Sequence, residues 1–298
     1  MGLFSRRKAM DPELEGLTTD QAALLRRLAV EAAARHGVHA QANPDHLETA
    51  DGQRYGLSNL ARTVASEPGH AWEAAVDRHF TAVLSGTPAA ALEGPELLGR
   101  LRAKFIAPET VTQDRAERDF GYVRWVAYLP LVIAVDHPEK VAYLTDADLA
   151  RLGDPEQVWH TASMNLLSAG LGGTPEEVAH EGGAFLGLQT GSVYTATWMA
   201  YPQALMQALG FTPGPLGAFL AAPAANALNL HLIGEATGMA DLQLMVQLTA
   251  LQHSRLPSPL SPHLYWWDGQ DSIQPITSFD GEDTHLVLPD ELEHLLER

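Results

Sequence analysis

The chain has no cysteine among its 298 residues. Disulfides, thiolate nucleophiles, zinc knuckles and iron–sulfur clusters are thereby excluded. It also has no lysine or arginine between Arg151 and Arg255, a run of 103 residues. Residues 1–151 carry 17 Lys+Arg against 21 Asp+Glu, whereas residues 152–298 carry 2 against 16. The formal net charge of −18 is therefore divided as −4 and −14. Nucleic acid is not an expected partner, because its binding rests on neutralising phosphates. An anionic membrane surface is repelled for the same reason. A basic protein partner is compatible with such a surface, although solubility is the plainer meaning of net charge. Long apolar runs are missing too. The longest, Phe185 to Met199, is broken by Gln189, Gly191 and Ser192, short of the roughly 18 residues that span a bilayer.

Residues 1–8 (MGLFSRRK) are basic, and no long apolar segment follows, so a secretory signal is not expected. Arg6 stands where a myristoylation signal takes Ser or Thr. These features imply a cytoplasmic protein with a frayed basic tail over residues 1–12. Sixteen Arg against 3 Lys, with abundant Ala, suggest a bacterial genome of high GC content.

What is present reads as α+β. The 46% hydrophobic content supports a real core. Thr18 to Gln21 fits a capping box and is followed by an amphipathic helix that Gly37 closes. Residues 38–41 and 46–49 pattern as a hairpin. Residues 57–65 and 71–84 pattern as helices, with Trp72, Val76 and Phe80 on one face of the second. Leu101–Ala107 reads as a strand, and residues 108–119 as a polar connection. Val123–Val135 reads as one buried strand bent near Pro130. Asp154-Pro155-Glu156-Gln157 and Thr174-Pro175-Glu176-Glu177 both look like helix starts. Residues 184–190 and 193–198 read as strands, as do 219–222 and 227–233, and residues 201–209 and 239–251 as helices. Residues 263–267 and 272–276 form a hairpin around Asp268-Gly269. Strands and helices mix without steady alternation. The expected fold is α+β, with mixed or antiparallel sheets packed by helices in two subdomains, 13–107 and 120–298.

Candidate chemistry is sparse. Gly170–Thr174 is glycine-rich, but it lacks the phosphate-binding patterns and the lysine that goes with them, and a plain loop explains it. His180-Glu181 lacks the HExxH pattern, since Ala184 stands at the fourth position beyond His180. No metal site and no cofactor are expected. Ser192 lacks the GxSxG context of a nucleophile elbow. Asp136, His137, His180 and Glu181 remain candidates for a site assembled from distant residues. Tyr265-Trp266-Trp267 alternates across a strand, so one face is core and the other meets another element, solvent or a partner. With Asp268 and Asp271, these aromatics form the candidate interaction surface. Asn165, beside the apolar face of Trp159 and Leu166, is expected to bond a neighbouring backbone.

The order of pieces resembles a bacterial family known as domain of unknown function 1444. The resemblance lies in Tyr55–Leu60 after Asp51-Gly52, in the strand ending Val135-Asp136, and in its return Val141–Thr145. It continues through the helix bearing Trp159, Ala162 and Asn165-Leu166, then Gly217–Pro223 before a strand. It covers roughly residues 20–270 and implies an α+β intracellular protein. It supplies no activity, cofactor or catalytic residue.

Three functions follow as expectations. The first is a non-enzymatic intracellular binding or regulatory protein contacting a basic partner near Tyr265–Asp271. The second is a hydrolase using Asp136, His137, His180 and Glu181. The third is an immunity-type protein that neutralises a basic toxin through acidic complementarity. Whether the protein is an enzyme, and its oligomeric state, stay open from sequence.

Overall fold

A computed structural model describes residues 9–50, 54–84, 94–137, 141–279 and 284–296. Outside them fall residues 1–8 of the expected tail, residues 51–53 and 138–140 of the expected turns, residues 85–93 of the expected loop and the acidic pair Glu282-Asp283. The chain divides into two compact units, the first covering residues 1–88 with 138–140, the second the remainder.

In the first unit, α1 (Thr19–Arg35) starts on the capping box of Thr18 and Gln21. Its Ala22, Leu25, Ala29 and Ala33 are buried at helical spacing. Three antiparallel strands follow, β1 (Ala40–Ala42), β2 (His46–Thr49) and β3 (Arg54–Gly56). Then come α2 (Ser58–Ala65), a 3₁₀ turn at Gly69–Ala71 and α3 (Trp72–Leu84). Leu47, Leu60, Trp72, Val76 and Phe80 close this core against α1. Residues 9–12 are tethered by hydrogen bonds rather than frayed, although only Asp11 is buried. Met10 bridges Thr18, and the Asp11 carboxylate accepts from the backbone of Glu13 and Leu14 and from Arg26 at 3.0 Å.

The second unit begins with α4 (Gly94–Arg100) and β4 (Leu101–Phe105). A 3₁₀ turn at Pro108–Thr110 and α5 (Gln113–Arg118) lead to β5 (Arg124–Val126), β6 (Leu129–Asp136) and β7 (Val141–Tyr143). The strand expected at 123–135 is thus two strands. They are joined by a tight turn in which Ala127 adopts a left-handed φ of 52°. Trp125 pairs with Pro130 and faces solvent, which a single buried strand does not permit. β6 is flanked by β4 on one side and by β5 and β7 on the other, all antiparallel. The strand at 101–105 therefore belongs to the second unit, although the sequence grouped it with the first.

Next come α6 (Asp146–Leu152) and α7 (Pro155–Ser168), which Thr145 and Asp154 cap. Residues 174–177 do not start a helix. They enter β8 (Glu176–His180), which turns at Glu181-Gly182, both at positive φ, into β9 (Gly183–Gln189). The strand expected at 193–198 is a 3₁₀ helix, Thr195–Ala200, tied to the preceding turn by Thr195 Oγ1 donating to Ser192 O. After α8 (Pro202–Leu209) come β10 (Ala218–Ala224), β11 (Ala227–Leu232), α9 (Met239–Arg255), β12 (Tyr265–Trp267) and β13 (Ile273–Pro275). The chain finishes with β14 (Thr277–Phe279), β15 (Thr284–Leu286) and α10 (Asp290–Leu296).

The large sheet runs β13-β12-β10-β11-β9-β8, every neighbour antiparallel. Pro223 is tolerated inside β10 because the register with β11 shifts between Ala221 and Ala224. Alternation sends Leu220, Leu228, Leu230, Tyr265 and Trp267 into one core with α7, α8 and the β4–β6 sheet. It sends Phe185, Phe219, Ala221 and Trp266 into a second core with Leu242 and Met245 of α9. Antiparallel sheets packed by helices make the fold α+β. Among the described residues, no helix is long and apolar enough to cross a membrane.

Candidate functional site

Three polar groupings lie in the second unit. The first is a cleft of about 350 Å³, bordered by the β5–β6 turn, the end of the 3₁₀ helix, the start of α8 and the β12–β13 turn. Trp125, Ala127, Gln203, Gln270, Asp271 and Ile273 line it. The β12–β13 turn is built from its own short-range bonds. Asp268 Oδ1 accepts from the backbone N–H of Gln270 at 2.8 Å and of Ser272 at 3.1 Å. Trp267 Nε1 and Gln203 Nε2 both donate to Gln270 O. Gly217, at φ 70°, packs so close that a Cβ there would collide with Trp267 O and Gly269 N. This wall is therefore preorganised.

On the opposite wall Trp125 is 54% exposed. Its neighbour Arg124 is occupied elsewhere, with its guanidinium 4.7 Å above the Trp159 ring and 2.6 Å from Glu156. Asp271 is exposed and meets no cation among the described residues. An open indole face, two amide side chains and an unneutralised carboxylate thus share one small cleft. Its volume lies at the low end for ligand sites, which suits a single side chain or a small molecule.

The second grouping is buried. Lys104 of β4 is 5% exposed, with Nζ donating to Val193 O at 2.6 Å and lying 5.3 Å from the Tyr194 ring centroid. Tyr194 OH donates to Asp136 Oδ1 at 3.1 Å. Burial pushes the Lys104 ammonium down to about 8, with the Asp136 charge opposing that fall. Burial pushes the Tyr194 phenol well above its ordinary value, reinforced by Asp136. This cluster ties β4, β6 and the 193–194 turn together.

The third lies around β9 and β11. His231 bridges Ala184 O at 2.7 Å and Thr237 Oγ1 at 3.0 Å, while Asp241 accepts from Ala184 N and Gly238 N. The Thr237–His231 and Asp241–Ala184 bonds join the loop before α9 and α9 itself to the sheet, so the arrangement is a structural clasp.

The sequence candidates fall in separate places. Asp136 ends β6 in the small sheet and joins the Lys104 cluster, and His137 follows the strand. His180 and Glu181 occupy the exposed β8–β9 turn of the large sheet, 3.7 Å from each other. Tyr265, Trp266 and Trp267 are all buried, at 0%, 8% and 1% exposure, because each face of β12 meets a core. Trp266 even spends its indole N–H on Leu216 O at 2.7 Å. The aromatic part of the expected surface is therefore interior. Asp268 caps its turn, and Asp271 alone of the five opens on the cleft. Asn165 donates to Leu98 O and Leu101 O, a structural role. Gly172 packs on Thr190 and Ser192 as a loop between α7 and β8. No group of three or more His, Asp or Glu is placed to hold a metal ion among the described residues. Trp125 and Gln203 were not singled out by sequence. The signal for Trp125 was weak but present, in a run where Arg124 and Pro130 interrupt the apolar residues.

No family model, no curated protein and no solved structure matches this chain. The resemblance to domain of unknown function 1444 accordingly rests on the quoted residues alone.

Proposed function

We propose that this is a non-enzymatic binding or regulatory protein whose second unit receives a basic protein partner. One observation carries the reading. Redrawn along the structural boundary, the second unit holds 9 Lys+Arg against 25 Asp+Glu, a formal net charge of −16, and the first holds −2. The sequence division at residue 151 had assigned Arg124 and Lys104 to the other half. Within the second unit these cations are committed, Arg124 to Glu156 and Lys104 to Val193 O. The free field is therefore strongly negative, which steers basic proteins and repels nucleic acid and anionic lipid. The hydrolase reading is less favoured, because Asp136 and the His180–Glu181 pair belong to different sheets.

Titration calorimetry of the full chain with an arginine-rich peptide tests the proposal. Binding is expected at low ionic strength and weakens about tenfold or more near 0.3 M salt. Absence of heat at low ionic strength, with a peptide of either basic residue, ends the reading.

A further inference from the structure

The cleft specifies more than a negative field. We infer that it is the seat of one arginine side chain from a basic partner protein. This rests on the binding reading above and adds a residue, a place and a geometry to it.

The cleft holds two unspent groups. Asp271 has no cationic neighbour among the described residues, and the Trp125 indole is more than half exposed. A large aromatic normally buries itself, as Trp266 and Trp267 of β12 do. Trp125 is kept out by the chain direction. Its strand has three residues and reverses through the left-handed Ala127, so the indole stands beside the cleft mouth. Opposite it, the β12–β13 turn cannot retreat, because Gly217 packs directly beneath Trp267 and Gly269. The lining between them is aliphatic, with Ile273, Pro202 and Ala200, and its polar members Gln203 and Gln270 are neutral.

A planar cation on an aliphatic stem matches every part of this. Methylenes cover Ile273 and Pro202, a guanidinium plane stacks on indole, and its fork of donors meets a carboxylate. Lysine satisfies the charge but not the stacking. A carboxylate or phosphate ligand meets Asp271 and no free cation. Residues 152–254 and 256–297 hold no Lys or Arg, so neither α8 nor the β12–β13 wall supplies an internal competitor.

The probe is tetra-arginine, with tetra-lysine and neutral tetra-citrulline as comparisons, followed by the amide and indole resonances of the full-length protein. Tetra-arginine is expected to move the Trp125 indole N–H and to bind several-fold tighter than tetra-lysine, while tetra-citrulline does not bind. Trp125→Ala and Asp271→Asn are each expected to weaken tetra-arginine about fivefold or more. Glu177→Gln, on the exposed edge strand β8, removes the same charge and is expected to change affinity less than about twofold. Both cleft residues are exposed, so the substitutions leave the cores intact. Salt-sensitive binding that ignores Trp125→Ala and Asp271→Asn overturns the arginine seat but leaves a diffuse acidic surface standing. Equal losses from Asp271→Asn and Glu177→Gln do the same. No binding of either basic peptide to the unsubstituted protein removes both the seat and the reading it rests on.

Discussion

Lys104 is the residue at which the fold carries its clearest local cost. Its ammonium is buried, pushed from an ordinary lysine value down to about 8. The unfolded chain holds its proton to about 10.5. Between those values the unfolded state binds more protons, so the Lys104 contribution to stability must rise as pH rises from 8 toward 10. The raised phenols of Tyr122, Tyr194, Tyr201 and Tyr265 act oppositely as pH approaches 10, where an unfolded tyrosine is half ionised. Urea unfolding at about pH 8 and about pH 9.5 should therefore show the wild type gaining on the order of 1–2 kcal/mol relative to Lys104→Met. A wild type that gains nothing relative to Lys104→Met over this interval contradicts the burial. Asp11 behaves in the reverse sense. Its bonds from Arg26 hold the carboxyl below its ordinary range, against the opposing effect of burial. Its contribution is complete above about pH 4 and is lost as pH falls through the folded-state value. Asp11→Ala should cost about 1 kcal/mol at neutral pH, read by thermal unfolding, and a larger penalty at pH 3 than at pH 7 would contradict that sign.

At the scale of elements, the β12–β13 turn is the part on which the cleft depends. Gly217→Ala forces a Cβ into Trp267 O and Gly269 N from a left-handed backbone. A loss of about 2–4 kcal/mol is expected, with Gly234→Ala, which meets nothing within 4 Å, as the comparison. Equal stability of the two variants would mean the turn is not held as described. Several elements were legible because local chemistry decides them. The capping box at Thr18, the Asp154 start of α7, the 38–49 hairpin and the β12–β13 hairpin all rest on residues close in sequence. Others were not. Thr174–Glu177 has the composition of a helix start, yet β9 supplies a ladder that the tetrapeptide alone does not reveal. Residues 193–198 look β-prone, but hydroxyl bonds among Thr190, Ser192 and Thr195 curl them into a 3₁₀ helix. The 123–135 run hid a turn because Ala, unlike Gly, does not announce a positive φ. That same turn exposes Trp125, so the misread strand and the overlooked cleft residue have one cause.

At the scale of the whole molecule, charge was the most readable property and its boundary the least. Sequence put the change at Arg151, whereas the compact units divide near residue 88, and the move deepens the asymmetry to −16 against −2. Strand pairing explains the shift, since β4 joins β6 across the polar segment that had looked like a linker. The aromatic triplet at 265–267 was legible as important but not as interior, because alternation fixes which side chains share a face and not what covers each face. Asp271 was legible as part of the acidic turn, and its partner wall across the cleft was not.

Hydrogen–deuterium exchange of the full chain with and without tetra-arginine tests the central claim most directly. Added protection over residues 124–127 and 270–273, with residues 19–84 unchanged, is the predicted result. Protection confined to residues 19–84, or none anywhere at saturating peptide, would contradict a basic partner seated on the second unit.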